Sequence, residues 1–315
     1  MHRRTLLSAM LSAAVASVLT PGAKAAEPTE IRVGFQKSGV LFAVKQRKTL
    51  ESAFRAQNIG IRWVEFQFGP PILEAIATGN VDFGYTGDAP PIFAQAAGAN
   101  LLYVAALPNH SSEGILVHED SPIRTIADLK GKTVGLAKAS SAHATAVAAL
   151  EKAGLSFNDI KAVYLPPADG VAAFSRGSID AWVVWDPYFA LAEKNKARVI
   201  ALNTEVERPH GFFLAAKSFA QDHPDHVTKL NDTLAKELAW ARGNRPELAQ
   251  ALHQSSGVDY EAVLKAVQRS DLTVAPLNDE TIADQQLIAD RFYKLGLIPK
   301  QIAVRDIVWK WTPSS

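Results

Sequence analysis

Lys132-Thr133-Val134-Gly135-Leu136-Ala137-Lys138-Ala139-Ser140-Ser141-Ala142-His143 reads as a short buried strand running straight into the start of a helix. Thr133 to Ala137 is apolar and partly β-branched, and Ser140 and Ser141 are residue types that cap helices. Val147 and Leu150 then keep helical spacing until Gly154 stops the element. A helix N-terminus points free N–H groups outward and carries partial positive charge, so two hydroxyls and a histidine there are the components of an anion socket. Nothing in the stretch suits bond breaking. Capping by Ser141 alone would account for the same residues.

Upstream, Ile31 to Phe35 reads as a strand, Gln36-Lys37-Ser38-Gly39 as a polar turn, and Leu41 to Ala56 as one helix with Leu41, Val44, Leu50 and Phe54 apolar. The charge run Lys45-Gln46-Arg47-Lys48 is expected on the solvated face of that helix. Ile61 to Phe66 is the next strand, Pro70-Pro71 opens a helix ending at Gly79, and Val81 to Tyr85 is a strand leading into Thr86-Gly87-Asp88-Ala89-Pro90-Pro91. A further helix and the strand Leu101 to Ala106 follow. Alternation at this spacing predicts α/β sheets with largely parallel pairing.

The pattern then restarts. Val33-Gly34 is matched by Val134-Gly135, and Gly79-Asn80-Val81-Asp82 by Gly177-Ser178-Ile179-Asp180. Asp88 follows Asp82 by the same interval that separates Asp186 from Asp180, and a proline stands within two residues of each. Two βα lobes on one plan follow from this echo, with polar turns where strands end and helices begin, the place where open parallel sheets hold ligands. Beyond Pro209 the chain resumes with the strand-like Gly211 to Ala215 and becomes mainly helical from Pro224 to Leu297, a layer expected to return to the first lobe.

The chain has 315 residues, 48% of them hydrophobic and 21% charged, with a net charge of +1. That is enough for two domains and leaves no electrostatic footprint for nucleic acid or an anionic membrane surface. His2-Arg3-Arg4, the uncharged run Leu6 to Leu19 and Ala23-x-Ala25 form a secretory signal peptide over residues 1–25, by the general or the twin-arginine route. The mature product is expected to be soluble and periplasmic. With no cysteine, disulfides and thiolate metal sites are excluded, and packing alone must hold the fold.

G-x-G-x-x-G, the P-loop, G-x-S-x-G and S-x-x-K are all absent, which removes the common nucleotide and acyl-transfer signatures. The eight histidines include no recognised ligand spacing; Asp222-His223-Pro224-Asp225-His226 is the local cluster of possible ligands, equally explained as a capped helix start. No cofactor or metal is expected. Asp88 and Asp186 could be paired carboxylates for acid–base work, but each precedes proline at a helix start, where capping is the preferred role. Asp186 keeps a second option, a contact with the cationic end of a zwitterionic ligand. Trp182-Val183-Val184-Trp185-Asp186-Pro187-Tyr188-Phe189 concentrates the aromatics; strand alternation sends Trp182 and Trp185 to opposite faces, with Trp185 at the strand end as a wall for an apolar tail or as a core residue.

Phe66-Gln67-Phe68-Gly69-Pro70-Pro71, the block Asp82 to Ala96, Ser140-Ser141-Ala142-His143 and Asp180 to Tyr188 together resemble the periplasmic aliphatic-sulfonate-binding proteins of ABC importers, over about Ile31 to Trp309. The resemblance implies an α/β, bilobal periplasmic-binding-protein-like fold of two mixed sheets flanked by helices, with a ligand cleft between lobes. Lobe I would comprise 26–114 and 210–315, and lobe II 115–209. It implies binding without catalysis: a monomer captures alkanesulfonates for sulfur acquisition, closes by hinge motion and docks on a permease with its ATPase. Carried over by position, Ser140 and Ser141 would hold the sulfonate with the backbone of Gly87 and Asp88, Gln36 would add a polar contact and His143 a helix-end contact, and Trp185 and Tyr188 would wall the tail, beside Asp186. Ala139 stands where the family is expected to carry glycine. A sulfonate stays ionised, so a donor-only socket favours it over a protonated phosphate. Taurine, a sulfate ester or nitrate are alternative ligands on the same scaffold; an enzyme on the same fold is the different-class alternative, and export argues against it.

Overall fold

The structure, a computed structural model, describes residues 26–108 and 112–314. The expected signal peptide over 1–25 lies outside the described residues. The strands are β1 (Glu30–Gln36), β2 (Gly60–Phe66), β3 (Phe83–Thr86), β4 (Leu101–Pro108), β5 (Glu113–Val117), β6 (Thr133–Leu136), β7 (Lys161–Tyr164), β8 (Ala181–Trp185), β9 (Arg198–Leu202) and β10 (His210–Ala216). The helices are α1 (Val40–Gln46), α2 (Thr49–Phe54), α3 (Gly69–Ala77), α4 (Ala89–Ala96), α5 (Ser141–Lys152), α6 (Pro167–Ser175), α7 (Tyr188–Lys194), α8 (Lys217–Asp222), α9 (Pro224–Gly243), α10 (Arg245–Ser256), α11 (Tyr260–Arg269) and α12 (Asp279–Lys294).

The strands form two five-stranded sheets of identical plan, β2-β1-β3-β10-β4 and β7-β6-β8-β5-β9. In each, the first three strands are parallel and the fourth is antiparallel to both neighbours. Pairing is therefore mixed rather than largely parallel. The cause is the crossing: β5 and β10 each carry the chain directly from one sheet into the other, without the helical crossover that a parallel neighbour requires.

The repeat seen in the sequence does the same structural job twice. Asp82 Oδ2 accepts the Arg32 N–H at 2.7 Å while the Asp82 N–H donates to Arg32 O at 2.9 Å. Asp180 Oδ2 accepts the Thr133 N–H at 2.7 Å, and the Asp180 N–H donates to Thr133 O at 2.8 Å. Gly79 and Gly177 supply the left-handed turn before each aspartate, at φ 72° and 68°. Each Gly-x-x-Asp thus fixes where the third strand joins the first, and so where its far end meets the cleft.

The expected helix Leu41 to Ala56 is instead two, α1 and α2, separated at Lys48, whose φ is +52°. Arg47 stays 40% exposed, as the charge run predicts, yet it is not without a partner. Its Nε lies 2.6 Å from Glu237 Oε1, which is 5% exposed, and its guanidinium sits 3.4 Å from the Trp240 ring centroid. A carboxylate so buried needs a counter-charge, and Arg47 supplies it. The helices from α9 onward share one core with the first sheet: Leu230, Leu234, Leu238, Val263 and Phe292 pack in a cluster with Val33, Phe83 and Tyr103. The second sheet has a core on each face, one around Val134 and Leu150, the other around Trp182 and Phe189. Among the described residues no helix is long and apolar enough to cross a membrane.

Candidate functional site

The C-terminal ends of β1, β3, β6 and β8 and the start of β5 meet around a cavity of roughly 160 Å³. Its polar lining includes Gln36 at the end of β1, Gly87 after β3, Glu113 at the head of β5, and Ser140 and Ser141 where α5 begins. At Gly87 the loops of the two sheets approach closely. A Cβ there would lie 3.0 Å from Ser141 Cβ and 3.2 Å from its Oγ, so glycine lets the loops close this far without displacing Ser141.

The turn before α5 is built to aim backbone donors. Ala139, standing where glycine was expected, has φ +57°, a left-handed conformation that alanine adopts at a cost. The turn is held by the Ala139 N–H donating to His143 Nδ1 at 3.3 Å and by the Ser140 hydroxyl donating to Ala137 O at 2.7 Å. Ser141 Oγ donates to Glu113 Oε2 at 2.5 Å, and Thr145 Oγ1 donates to Glu113 Oε1 at 2.6 Å. Both serine hydroxyls are thereby engaged with protein acceptors; the His143 and Ala144 N–H groups close back on Ser140 O at 3.0 and 3.3 Å, which leaves the N–H at the very start of α5, at the cavity-lining Ser141, as the donor without an acceptor in the helix. That N–H group, with the positive end of the helix dipole, suits an anion. Gln36 Nε2 adds an amide that also donates to Tyr85 O at 3.3 Å.

The apolar lining was not found from sequence. It comes from Leu238 of α9, Leu248 and Leu252 of α10, Val263 and Val267 of α11, and Leu272 beyond it. Trp185, Asp186 and Pro187 line the cavity from the other sheet. Asp186 is not free to meet a ligand's cationic group: Arg269 Nε lies 2.8 Å from its Oδ2, and the Ala190 N–H donates to its Oδ1 at 3.0 Å. Burial pushes the Asp186 carboxyl up to about 7 against the pull of Arg269. Arg269 Nη2 also reaches Glu193 Oε2 at 2.6 Å, so α11 is clamped onto α7 beside the cavity.

Three expected site residues do not line it. Asp88 turns its carboxyl into α4, accepting the Ala89 N–H at 2.6 Å, while its carbonyl accepts from Gln285 Nε2 at 2.7 Å. Burial, then the facing Glu207 and Glu113, hold the Asp88 carboxyl well above the usual carboxylate range. His143 is 2% exposed, stacked near Phe93 and tilted against Phe157 and Phe292. Burial, then the charge of Lys138, push it down to about 4, so the ring is neutral at pH 7 and serves the turn as an acceptor instead of touching a ligand. Tyr188 opens α7 but packs into the core beside the cavity. Elsewhere, Glu27, His223 and His226 bring their ligand atoms within 4.8 Å of one another, and His226 Nε2 sits 2.8 Å from Glu27 Oε2, tying the chain before β1 to the start of α9.

The profile of the NMT1/THI5-like family matches residues 54–249. Over 289 residues the chain is 39% identical to an aliphatic sulfonates-binding protein of Escherichia coli K12, covering 90% of each. The alkanesulfonate-binding protein of Xanthomonas axonopodis pv. citri, solved with MOPS bound, superposes with a TM-score of 0.84 at 40% identity, over 90% of this chain and 99% of that one. The periplasmic aliphatic sulphonate binding protein of E. coli superposes at 0.81 with 38% identity, over 92% and 94%.

Proposed function

The chain belongs to the NMT1/THI5-like family, among its aliphatic-sulfonate-binding proteins, and from that premise we propose that it is the periplasmic solute-binding component of an ABC importer. It captures aliphatic sulfonates and delivers them to a membrane permease with its ATPase, as a monomer; it is not an enzyme. The observation that carries this reading is the cavity's double lining: backbone donors at the start of α5 against Gly87, and leucines and valines from α9 to α11. That is one chemistry for a permanent anion and another for an aliphatic tail.

Under this reading the anion is held by the N–H groups around Ser141 and Gly87, with Gln36 as a further donor and Trp185 on the tail. The proposed lobes are 26–114 with 210–315, and 115–209, the first boundary falling within β5, whose strand belongs to the second sheet. Residues 1–25, with Arg3-Arg4, the uncharged run to Leu19 and Ala23-x-Ala25, are the proposed signal peptide.

Isothermal titration calorimetry of the chain from Ala26 against ethanesulfonate, octanesulfonate, taurine, sulfate and nitrate tests the assignment. One-to-one binding of the alkanesulfonates, with sulfate and nitrate silent, is expected. Silence for every sulfonate beside a response to another oxyanion would overturn the substrate and leave the fold.

A further inference from the structure

Glu113 presents the anion site with a problem of charge and of hydrogen count. Its carboxyl is 1% exposed, lines the cavity, and takes the only proton of the Ser141 hydroxyl at 2.5 Å. While that bond stands, Ser141 Oγ shows a ligand lone pairs alone, and a carboxylate stands one hydroxyl away from where a sulfonate must sit. The surroundings do not neutralise it. The residue opposite it on β8 is Trp185, and from α5 it meets Ser141 and Thr145, both uncharged, with a neutral His143 behind them. From α4 it faces the buried Asp88, and from the segment before β10 it faces Glu207. The nearby arginines are committed to other acids: Arg291 Nη1 pairs with Glu207 Oε2 at 3.0 Å, and Arg269 with Asp186 and Glu193.

Resting on the sulfonate reading above, we propose that Glu113 takes up one proton when the ligand binds, so that the complex holds a neutral carboxylic acid behind Ser141. The proton comes from solvent and bonds to Oε2. The new O–H donates to Ser141 Oγ, the Ser141 O–H turns to a sulfonate oxygen, and Oε1 keeps the donation from Thr145 Oγ1. The ligand's single negative charge enters with a single positive one. Glu113 is then a specificity-determining residue: it converts Ser141 from an acceptor into a donor only for a ligand that is itself unable to donate.

Burial already holds Glu113 up at about 6 in the ligand-free protein, against the donations of Ser141 and Thr145, and a sulfonate raises it further. Between the two values the complex binds a proton that the free protein does not. Affinity is therefore fully expressed well below pH 6 and lost as pH rises past it, with Kd approaching about a tenfold increase per pH unit until the value of the complex is reached. At pH 7.5 it is roughly thirtyfold weaker than at the acid limit.

The test is calorimetry with octanesulfonate from pH 5.5 to 8.5. At pH 7.5 it is repeated in phosphate, imidazole and Tris, buffers that differ in ionisation enthalpy and carry no sulfonate. Uptake close to one proton per ligand at pH 7.5, and the stated slope, are expected. Glu113→Gln should give a Kd flat across pH and uptake near zero. A wild-type Kd independent of pH without proton uptake would overturn the proposal, and so would an unchanged slope in the folded variant. The wild-type measurement decides the matter alone if the variant does not fold. Absence of octanesulfonate binding at every pH, pH 5.5 included, would instead overturn the sulfonate reading itself, and the proposal with it.

Discussion

Gly87→Ala adds one carbon at the point where the loops of the two sheets touch. That carbon would stand 3.0 Å from Ser141 Cβ and 3.2 Å from Ser141 Oγ, where ordinary carbon contacts sit at about 3.5–4.0 Å. The residue's own backbone is not in the left-handed region, so alanine is tolerated locally and the penalty lies in the contact across the cleft. Relief requires the loops to part by a few tenths of an ångström, which would lengthen donor bonds to a shared anion from about 2.9 Å toward the weak end of the useful range. Overpacking of this size costs about 1–3 kcal/mol, or roughly a 5- to 150-fold rise in Kd for every sulfonate alike. Calorimetry reads the affinity, and a thermal melt of the ligand-free protein reads the fold. Wild-type affinity would refute the reasoning. So would a ligand-free melting temperature that falls in proportion to the affinity, since the damage would then lie within one lobe and not between two.

Leu252→Ala removes part of the apolar lining and should weaken octanesulfonate by about 1–2 kcal/mol, roughly 5- to 30-fold, with little effect on ethanesulfonate, as paired titrations will show. Trp185→Ala should show the same bias toward long tails, and equal losses for both ligands would remove Trp185 from the tail wall. His143 has its protonation pushed down to about 4 in the folded protein, so it contributes stability that is whole above pH 6.5 and lost as pH falls from 6.5 towards 4. His143→Asn keeps an acceptor for the Ala139 N–H without that titration, so the gap in stability between variant and wild type should narrow from neutral to acid pH in denaturant melts.

The parts of this molecule legible in its sequence are those fixed by local chemistry. Gly-x-x-Asp could be read twice because each copy ties its aspartate to a strand N–H in its own sheet. The α5 turn could be read because strand end, serines and helix follow one another without a gap. What escaped depends on distant partners. Beside the break between α1 and α2, Arg47 finds its partner in Glu237, a residue of α9. His143 stands beside the serines in sequence, yet a helix turns successive side chains by about 100° and carries its ring away from the cavity into the aromatic cluster. Glu113 is an ordinary acid before an ordinary strand until β5 sets it behind Ser141. The apolar faces of α9 to α11 carry the periodicity of any core-facing helix, and nothing local separates a leucine that fills a core from one that leaves a chamber beside it.

These two kinds of legibility follow the division of labour in the site. The proposed anion end is assembled from the duplicated βα plan, one turn from each sheet, and under that proposal its donors are largely main-chain groups. Side chains at those positions matter through the room they leave, as at Gly87, through the acceptor they engage, as at Ser140, or through a hydroxyl that Glu113 controls, as at Ser141. The tail chamber belongs to helices with no counterpart in the other half of the chain, and it is made of side chains alone. Substitutions at the turns should therefore change affinity for all sulfonates by a common factor. Substitutions in α10 and α11 should reorder the sulfonates among themselves. A scaffold so divided can exchange one aliphatic ligand for another through a few leucines and valines, while the backbone geometry that selects a permanent anion stays as it is.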